Sequence, residues 1–292
     1  MKVAVFGATG TVGGPLVHAL AARHEVVAVS RSAHDDGPAG VDWAIADALD
    51  GASVRAALDG VEAAYYLVHS LGSVDFEERD LRAAEIVAGE AERAGLRRLV
   101  YLGGLGDESA DLSPHLRSRV ETGRRLASGA VPLTTLRAAM VVGPSSAAFD
   151  TIVALVDRLP AMICPRWVSS PTQPIALEDI LRYLVGVIEL DEAGGETFDA
   201  GGPEVMTYRE MIERIGRLRG KHPLIVEIPV LTPRLSSYWL HLVTPVNARV
   251  ARPLIEGLRN PTVAQDDRIR KLVPFEPTSF DEAARTALSA RR

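Results

Sequence analysis

Apolar residues along this chain fall into two alternating patterns. Short, nearly unbroken runs rich in β-branched residues occur at 2–6, 25–29, 41–46, 63–68, 96–102 and 131–137. Runs that do not alternate with polar residues predict strands covered on both faces, as in a parallel sheet. Between them, apolar positions take helical spacing. One helix opens with Pro15 in its first turn and continues through Leu16, Val17, Ala19 and Leu20. Others are predicted at 51–58, at 77–94 with Gly95 as the stop, and at 114–128 with Ser113 as N-cap and Pro114 following it. Strands and helices at this pitch predict an α/β, doubly wound parallel sheet with right-handed crossovers.

The pattern changes after Val141-Val142-Gly143-Pro144. Proline becomes frequent, and Phe149, Met162, Trp167, Tyr238 and Trp239 stand in short irregular runs. We read 1–144 as a nucleotide-binding domain and 145–292 as a smaller lobe capping the substrate. A helix at 178–189 and a strand at 197–200 are predicted to return to the sheet. Leu235, Tyr238, Trp239 and Leu242 recur at helical spacing, a stripe that reads as core. The other reading is an apolar entrance that meets a membrane surface or a greasy ligand.

The first strand runs straight into Gly7-Ala8-Thr9-Gly10-Thr11-Val12-Gly13-Gly14 and then a helix. Strand, glycine bend and helix aim free backbone N–H groups and a positive helix end at a pyrophosphate. Gly7 allows the turn, Gly10 lets the backbone approach the phosphates, and Gly13 lets the helix pack against the strand. Thr9, Thr11 and Val12 complete the expected pyrophosphate contacts.

An acid at the tip of the second strand would take both ribose hydroxyls and favour NAD. This chain has Ser30-Arg31-Ser32 there. A guanidinium flanked by hydroxyls suits a 2′-phosphate, so NADP(H) is expected over NAD(H). Asp47, followed by Ala48, is read either as an adenine acceptor or as a helix N-cap. Val68, His69 and Ser70 stand at the tip of the fourth strand, where doubly wound sheets bind ligands. Gly103-Gly104-Leu105-Gly106 is expected to be a flexible tip contributing Gly103 to the cofactor site, with Val142 as a further contact.

Bulk properties narrow the field. The net charge of −6, with no Lys/Arg block, argues against nucleic acid as a partner. Cys164 is the single cysteine, which excludes an internal disulfide and fits a reducing compartment. The seven histidines show no metal-ligand spacing, and no metal is expected. No apolar run approaches the roughly 18 residues of a membrane span, and the N-terminus does not read as a signal peptide. The expected location is cytoplasmic.

The Gly-Ala-Thr-Gly-Thr-Val-Gly bend, Arg31, the helix start at Ser113-Pro114 with Ser118-Arg119, and Leu136-Arg137…Val142-Gly143-Pro144 together resemble the NmrA-like atypical short-chain dehydrogenase/reductases. The stretches 173–179 and 198–203 are similar to that family's C-terminal half. The resemblance implies a Rossmann fold that binds NAD(P)(H). Reductases of the family carry Tyr-x-x-x-Lys on one helix face. Aligned on Ser118, this chain has His115 and Arg119 instead, and no lysine lies between positions 3 and 220.

Two outcomes follow for His115. As an imidazolium it is a competent acid, or it faces water at a helix start and does no chemistry. Arg119 is expected to bind ribose hydroxyls and to discourage protonation of His115. His69 is expected at the nicotinamide or substrate. Met140, Phe149, Trp167 and Ser70 are the expected substrate contacts. The leading expectation is an oxidoreductase acting on a hydrophobic carbonyl, quinone or enone. The alternative is a non-catalytic redox sensor that works through a protein partner.

Overall fold

The computed structural model describes residues 1–34, 39–70, 73, 75–108, 110–228 and 257–290. The stripe at Leu235, Tyr238, Trp239 and Leu242 lies outside the described residues.

The chain opens β1 (Lys2–Phe6), α1 (Gly13–Ala21), β2 (Glu25–Ser30), β3 (Val41–Ile45), α2 (Gly51–Ala57), β4 (Ala63–Tyr66), α3 (Phe76–Arg93), β5 (Arg98–Gly104), α4 (Pro114–Leu126) and β6 (Leu133–Ala138). After β7 (Val141–Val142), α5 (Ala147–Arg158), β8 (Ala161–Pro165), β9 (Pro171–Thr172) and β10 (Ile175–Ala176), it returns through α6 (Leu177–Glu189) to β11 (Thr197–Ala200). Next come β12 (Met206–Thr207), α7 (Tyr208–Leu218) and β13 (Leu224–Ile228), then short helices at Arg268–Leu272 and Phe280–Ser289.

A seven-stranded sheet has the order β3-β2-β1-β4-β5-β6-β11, and every pairing in it is parallel. The fold is therefore the expected doubly wound α/β type. The chain winds one way from β1 to β3 and the other way from β4 onward, so the crevice opens between the tips of β1 and β4.

Each face of the sheet is sealed by helices. Leu16 and Leu20 of α1 and Tyr183 and Val187 of α6 cover one face. Val54, Val87 and Leu126, from α2, α3 and α4, cover the other. A third core joins α5, α7 and the Phe280–Ser289 helix, with Met162, Cys164 and Val168. Three two-stranded ribbons accompany it, β7 with β10, β8 with β13 and β9 with β12.

Boundaries differ from the sequence reading in instructive places. Gly103 and Gly104 are not a flexible tip. They are the last residues of β5, paired with Arg137 and Ala138. A Cβ on Gly103 would stand 3.1 Å from the Tyr101 ring, and one on Gly104 would stand 3.1 Å from Leu116 of α4. Gly104 lets α4 approach the strand closely, and Gly103 leaves room for the Tyr101 ring of its own strand. Ser113 caps α4 as expected, its Oγ accepting from Leu116 N at 3.3 Å. The cap of α2 is Asp50, which accepts from Ala52 and Ser53. Asp47 instead closes its own turn, Oδ1 accepting from Leu49 N at 3.0 Å. No helix among the described residues is long and apolar enough to cross a membrane.

Candidate active site

The glycine bend is built by close approach. Gly7 sits at φ +85°, and a Cβ there would be 3.0 Å from the Leu67 carbonyl oxygen. A Cβ on Gly13 would be 2.1 Å from the Gly7 carbonyl oxygen, a distance no side chain tolerates. Gly10 N donates to Gly7 O at 2.9 Å, which folds the bend back on itself. Thr9 and Gly10 are exposed, so no side chain among the described residues fills the cradle.

At the start of α1, Val12 makes no side-chain cap and the first turn carries no acid. The positive helix end is thus left for an external anion. Thr11 is committed elsewhere. Its hydroxyl donates to the Ser145 carbonyl at 2.9 Å, tying the bend to the loop that precedes α5. Ser145 has φ +61° and is the one non-glycine residue with positive φ among those described.

At the tip of β2, Ser30 turns inward and its Oγ accepts from Ser32 N at 3.2 Å. It shapes the turn that presents Arg31. Arg31 is exposed and makes no ion pair with any described residue. Ser32 Oγ lies 3.4 Å from His34 Nε2, and the His34 ring packs on Trp43 with centroids 4.5 Å apart.

His69, His115 and Arg119 come together across the crevice, at the tip of β4 and the start of α4. His69 is open to solvent, yet protein surrounds its ring on the other sides, as expected in a concave wall. That crowding, with Arg119 beside it, lowers its pKa from 6.5 to about 4. For His115, burial comes first, followed by the charges of Arg119 and His69, and its pKa falls to about 3. The neighbouring cation acts in the direction expected from the sequence.

Two expectations for His115 are corrected. It is half-buried rather than open to water, and a Cβ built on Gly257 would stand 3.9 Å from its Cδ2. Nor is it an imidazolium near neutral pH, since desolvation and a fixed cation both oppose the charge.

Arg119 is also tied inward. Nη2 donates to the Leu102 carbonyl, and the guanidinium carbon sits 4.9 Å from the Tyr101 ring centroid. Tyr101 Oη donates to the Arg119 carbonyl at 2.9 Å. Arg119 therefore binds α4 to β5, with only Nη1 buried and unpartnered.

Among the substrate contacts, Phe149 is corrected outright. It is 0% exposed inside the third core, because α5 turns its apolar stripe inward. Val142 is sealed there too, at 2% exposure, and offers no side chain to a cofactor. Trp167 packs on the same core, edge-on to Tyr208 with centroids 6.5 Å apart. Met140 is half-buried, and its carbonyl accepts from Ile175 N. Burial raises the Cys164 thiol to about 11, which makes it an unreactive core residue.

Asp80 was missed by sequence reasoning. It lies on α3 at 3% exposure, and burial raises its pKa. The signal was available, since an acid on the stripe of Phe76, Ala83, Ala84 and Val87 is out of place. Asn260 was missed as well, and nothing in its sequence neighbourhood marks it. It clamps the loop before α4, accepting from Ser113 N at 3.1 Å and donating to Asp111 O at 3.0 Å.

Comparison with known proteins agrees with this geometry. Residues 7–130 match the NAD(P)H-binding family. Over 239 residues the chain is 23% identical to a mitochondrial protein of Arabidopsis thaliana named NADH dehydrogenase [ubiquinone] 1 alpha subcomplex subunit 9, covering 77% of this chain and 60% of that one. Over 116 residues it is 39% identical to sterol demethylase protein B of Methylococcus capsulatus, covering 36% of this chain and 35% of that one. The chain thus spans less than two thirds of the length of these relatives. Among solved structures, the triphenylmethane reductase of Citrobacter sp. in complex with NADP(H) superposes with a TM-score of 0.79 at 18% identity. That match covers 98% of this chain and 100% of the reductase. The glycine cradle, the strand order and the match of residues 7–130 to the NAD(P)H-binding family together give this chain a nucleotide-binding fold of the Rossmann type, the fold of the superposed reductase.

Proposed function

We propose that this protein is an NADP(H)-dependent oxidoreductase acting on a hydrophobic carbonyl, quinone or enone. The observation that carries the reading is the glycine cradle at the tip of β1, facing His69, His115 and Arg119 across the switch point. The residues fit a dinucleotide, because the space a Cβ would occupy at Gly7 and Gly13 is filled by the backbone itself. When bound, the nicotinamide supplies or accepts a hydride.

In this reading the bend from Thr9 to Val12 and the open end of α1 hold the pyrophosphate. Arg31 is the group that meets a 2′-phosphate, since its charge is unmatched by the described residues. The NADP(H) complex of the Citrobacter reductase supports the same cofactor. Neutral His69 and His115 orient a polar substrate atom by hydrogen bonding, and Arg119 biases the site toward a product that carries negative charge. Quinones and enones give stabilised anions on hydride addition, so they suit a site without a tyrosine–lysine pair.

The test is direct. Purified protein, NADPH and a panel of quinones, enones and ketones should show loss of the nicotinamide absorbance band. Tight binding without oxidation of NADPH by any of the panel would remove the catalytic reading.

A further inference from the structure

We propose that the outer face of the β8–β13 ribbon docks this protein on an anionic phospholipid surface. The two strands run parallel, with Leu224 beside Ala161 and Val226 beside Ile163. Side chains alternate across a strand, so Met162, Cys164 and Ile225 turn into the third core and their neighbours turn outward. Ile163 is 60% exposed, Leu224 63% and Val226 44%, and Ala161 is exposed beside them. Six large apolar side chains are exposed among the described residues, and three of them stand on this one face. Single exposed aliphatics are ordinary, whereas neighbours on paired strands make a patch that marks an interaction surface. Glu227, the one acid in either strand, alternates to the other side of the ribbon, where its carboxylate accepts from Ser169 Oγ at 2.9 Å.

Charge indicates which surface fits. Because the strands are parallel, α5 and α7 deliver the chain to the same end of the ribbon. The last turn of α5 and its link to β8 carry Asp157 and Arg158, while the last turn of α7 and its link to β13 carry Arg217, Arg219, Lys221 and His222. Asp157 is the only acid in these two stretches, and Arg219 at 3.0 Å and Lys221 at 3.3 Å share it. This corner is therefore cationic in a chain whose net charge is −6. Arg217 and His222 are exposed there, and Arg166 is exposed just past the other end of β8. An apolar patch bordered by cations matches a bilayer with anionic headgroups. The aliphatic side chains enter the acyl boundary while the cations stay with the phosphates.

The size of the patch argues the same way. Each strand has five residues. At about 3.3 Å per residue, with strands about 5 Å apart, the face measures on the order of 200 Å². A specific protein–protein interface takes about 800 Å² from each partner. The ribbon is too small to hold a second copy by itself, yet wide enough for shallow insertion into lipid. A bilayer is also where the apolar acceptors proposed above would dissolve.

The test is sedimentation of the full chain with lipid vesicles at low salt. Vesicles of phosphatidylcholine mixed with phosphatidylglycerol should carry the protein down, and vesicles of phosphatidylcholine alone should carry at least about tenfold less. Salt at about 0.5 M should release most of the bound protein. Replacing Ile163→Asn together with Leu224→Asn leaves the charge unchanged and should weaken binding by about tenfold or more. Arg217→Glu should weaken it by about threefold or more. Both variants should keep the wild-type unfolding midpoint and NADPH affinity.

Failure of the wild type to sediment with the anionic vesicles overturns the proposal, as does binding that ignores the paired Asn substitutions. A concentration-dependent dimer, seen by light scattering and split by the same substitutions, gives the face to a second copy instead. A large drop in their unfolding midpoint shows the face to be covered by the chain itself. Either result also overturns docking on lipid.

Discussion

Asn260 holds the start of α4 from the far end of the chain, its Oδ1 accepting from Ser113 N at 3.1 Å. The same side chain donates to Asp111 O, so one amide fixes both sides of the loop that presents His115. Replacing it with Ala leaves a half-buried N–H and a carbonyl unpaired, at a cost of about 1–3 kcal/mol. Asn260→Ala should lower the midpoint of denaturant unfolding. It should also raise the His115 pKa from about 3 toward 6.5, read by NMR of the ring protons.

Gly13 tests the cradle. A methyl group at 2.1 Å from the Gly7 carbonyl oxygen cannot be accommodated without moving α1 away from β1. Gly13→Ala should destabilise the fold by about 1–3 kcal/mol. NADPH affinity, measured by fluorescence titration, should fall at least as far as stability does.

Arg31 decides between the two cofactors. An arginine–phosphate hydrogen bond worth roughly 1.5–3 kcal/mol predicts a loss of about 10- to 100-fold in NADPH affinity for Arg31→Ala. NADH affinity should be nearly unchanged. Equal losses for both cofactors would place the 2′-phosphate elsewhere.

The two histidines make stability depend on acid. Their folded pKa values, about 4 for His69 and about 3 for His115, lie below the unfolded value of 6.5. Above 6.5 the protonation of the folded and unfolded chains is the same at these sites. As pH falls below it, the unfolded chain binds protons that the folded chain refuses, so stability declines until the folded pKa values are passed. Denaturant unfolding at pH 7 and pH 5 should show this decline, and His115→Gln should make it shallower.

Phe149 separates packing from substrate contact. Wholly buried in the third core, it should cost about 3–5 kcal/mol when replaced by Ala. The ratio of ketone to quinone rates should not change in protein that stays folded.

Local pattern carried most of the architecture. Strands with nearly unbroken apolar runs, helices opening at Ser113-Pro114 and closing at Gly95, and the return to the sheet at 197–200 all follow from short-range rules of burial and capping. The glycine cradle was legible for the same reason, because Gly7, Gly10 and Gly13 act within seven residues of one another. Gly103 and Gly104 show where such rules stop. Their lack of side chains serves contacts with Tyr101 and Leu116, and nothing in their own neighbourhood tells close approach from flexibility.

What the amino-acid order settled unaided is a dinucleotide-type bend at the head of a parallel sheet, with a lone arginine past the second strand. Only folding decided the charge state of the crevice. The proton affinity of His115 depends on how far the fold buries it, on a cation one helical turn further along α4 and on His69 at the tip of β4. The Asp80 carboxyl depends likewise on its burial, which raises its pKa, and on Arg119 of α4 and Arg79 of its own helix, which oppose that rise. Proton affinity is set by what surrounds a group in space, and sequence distance places no limit on that.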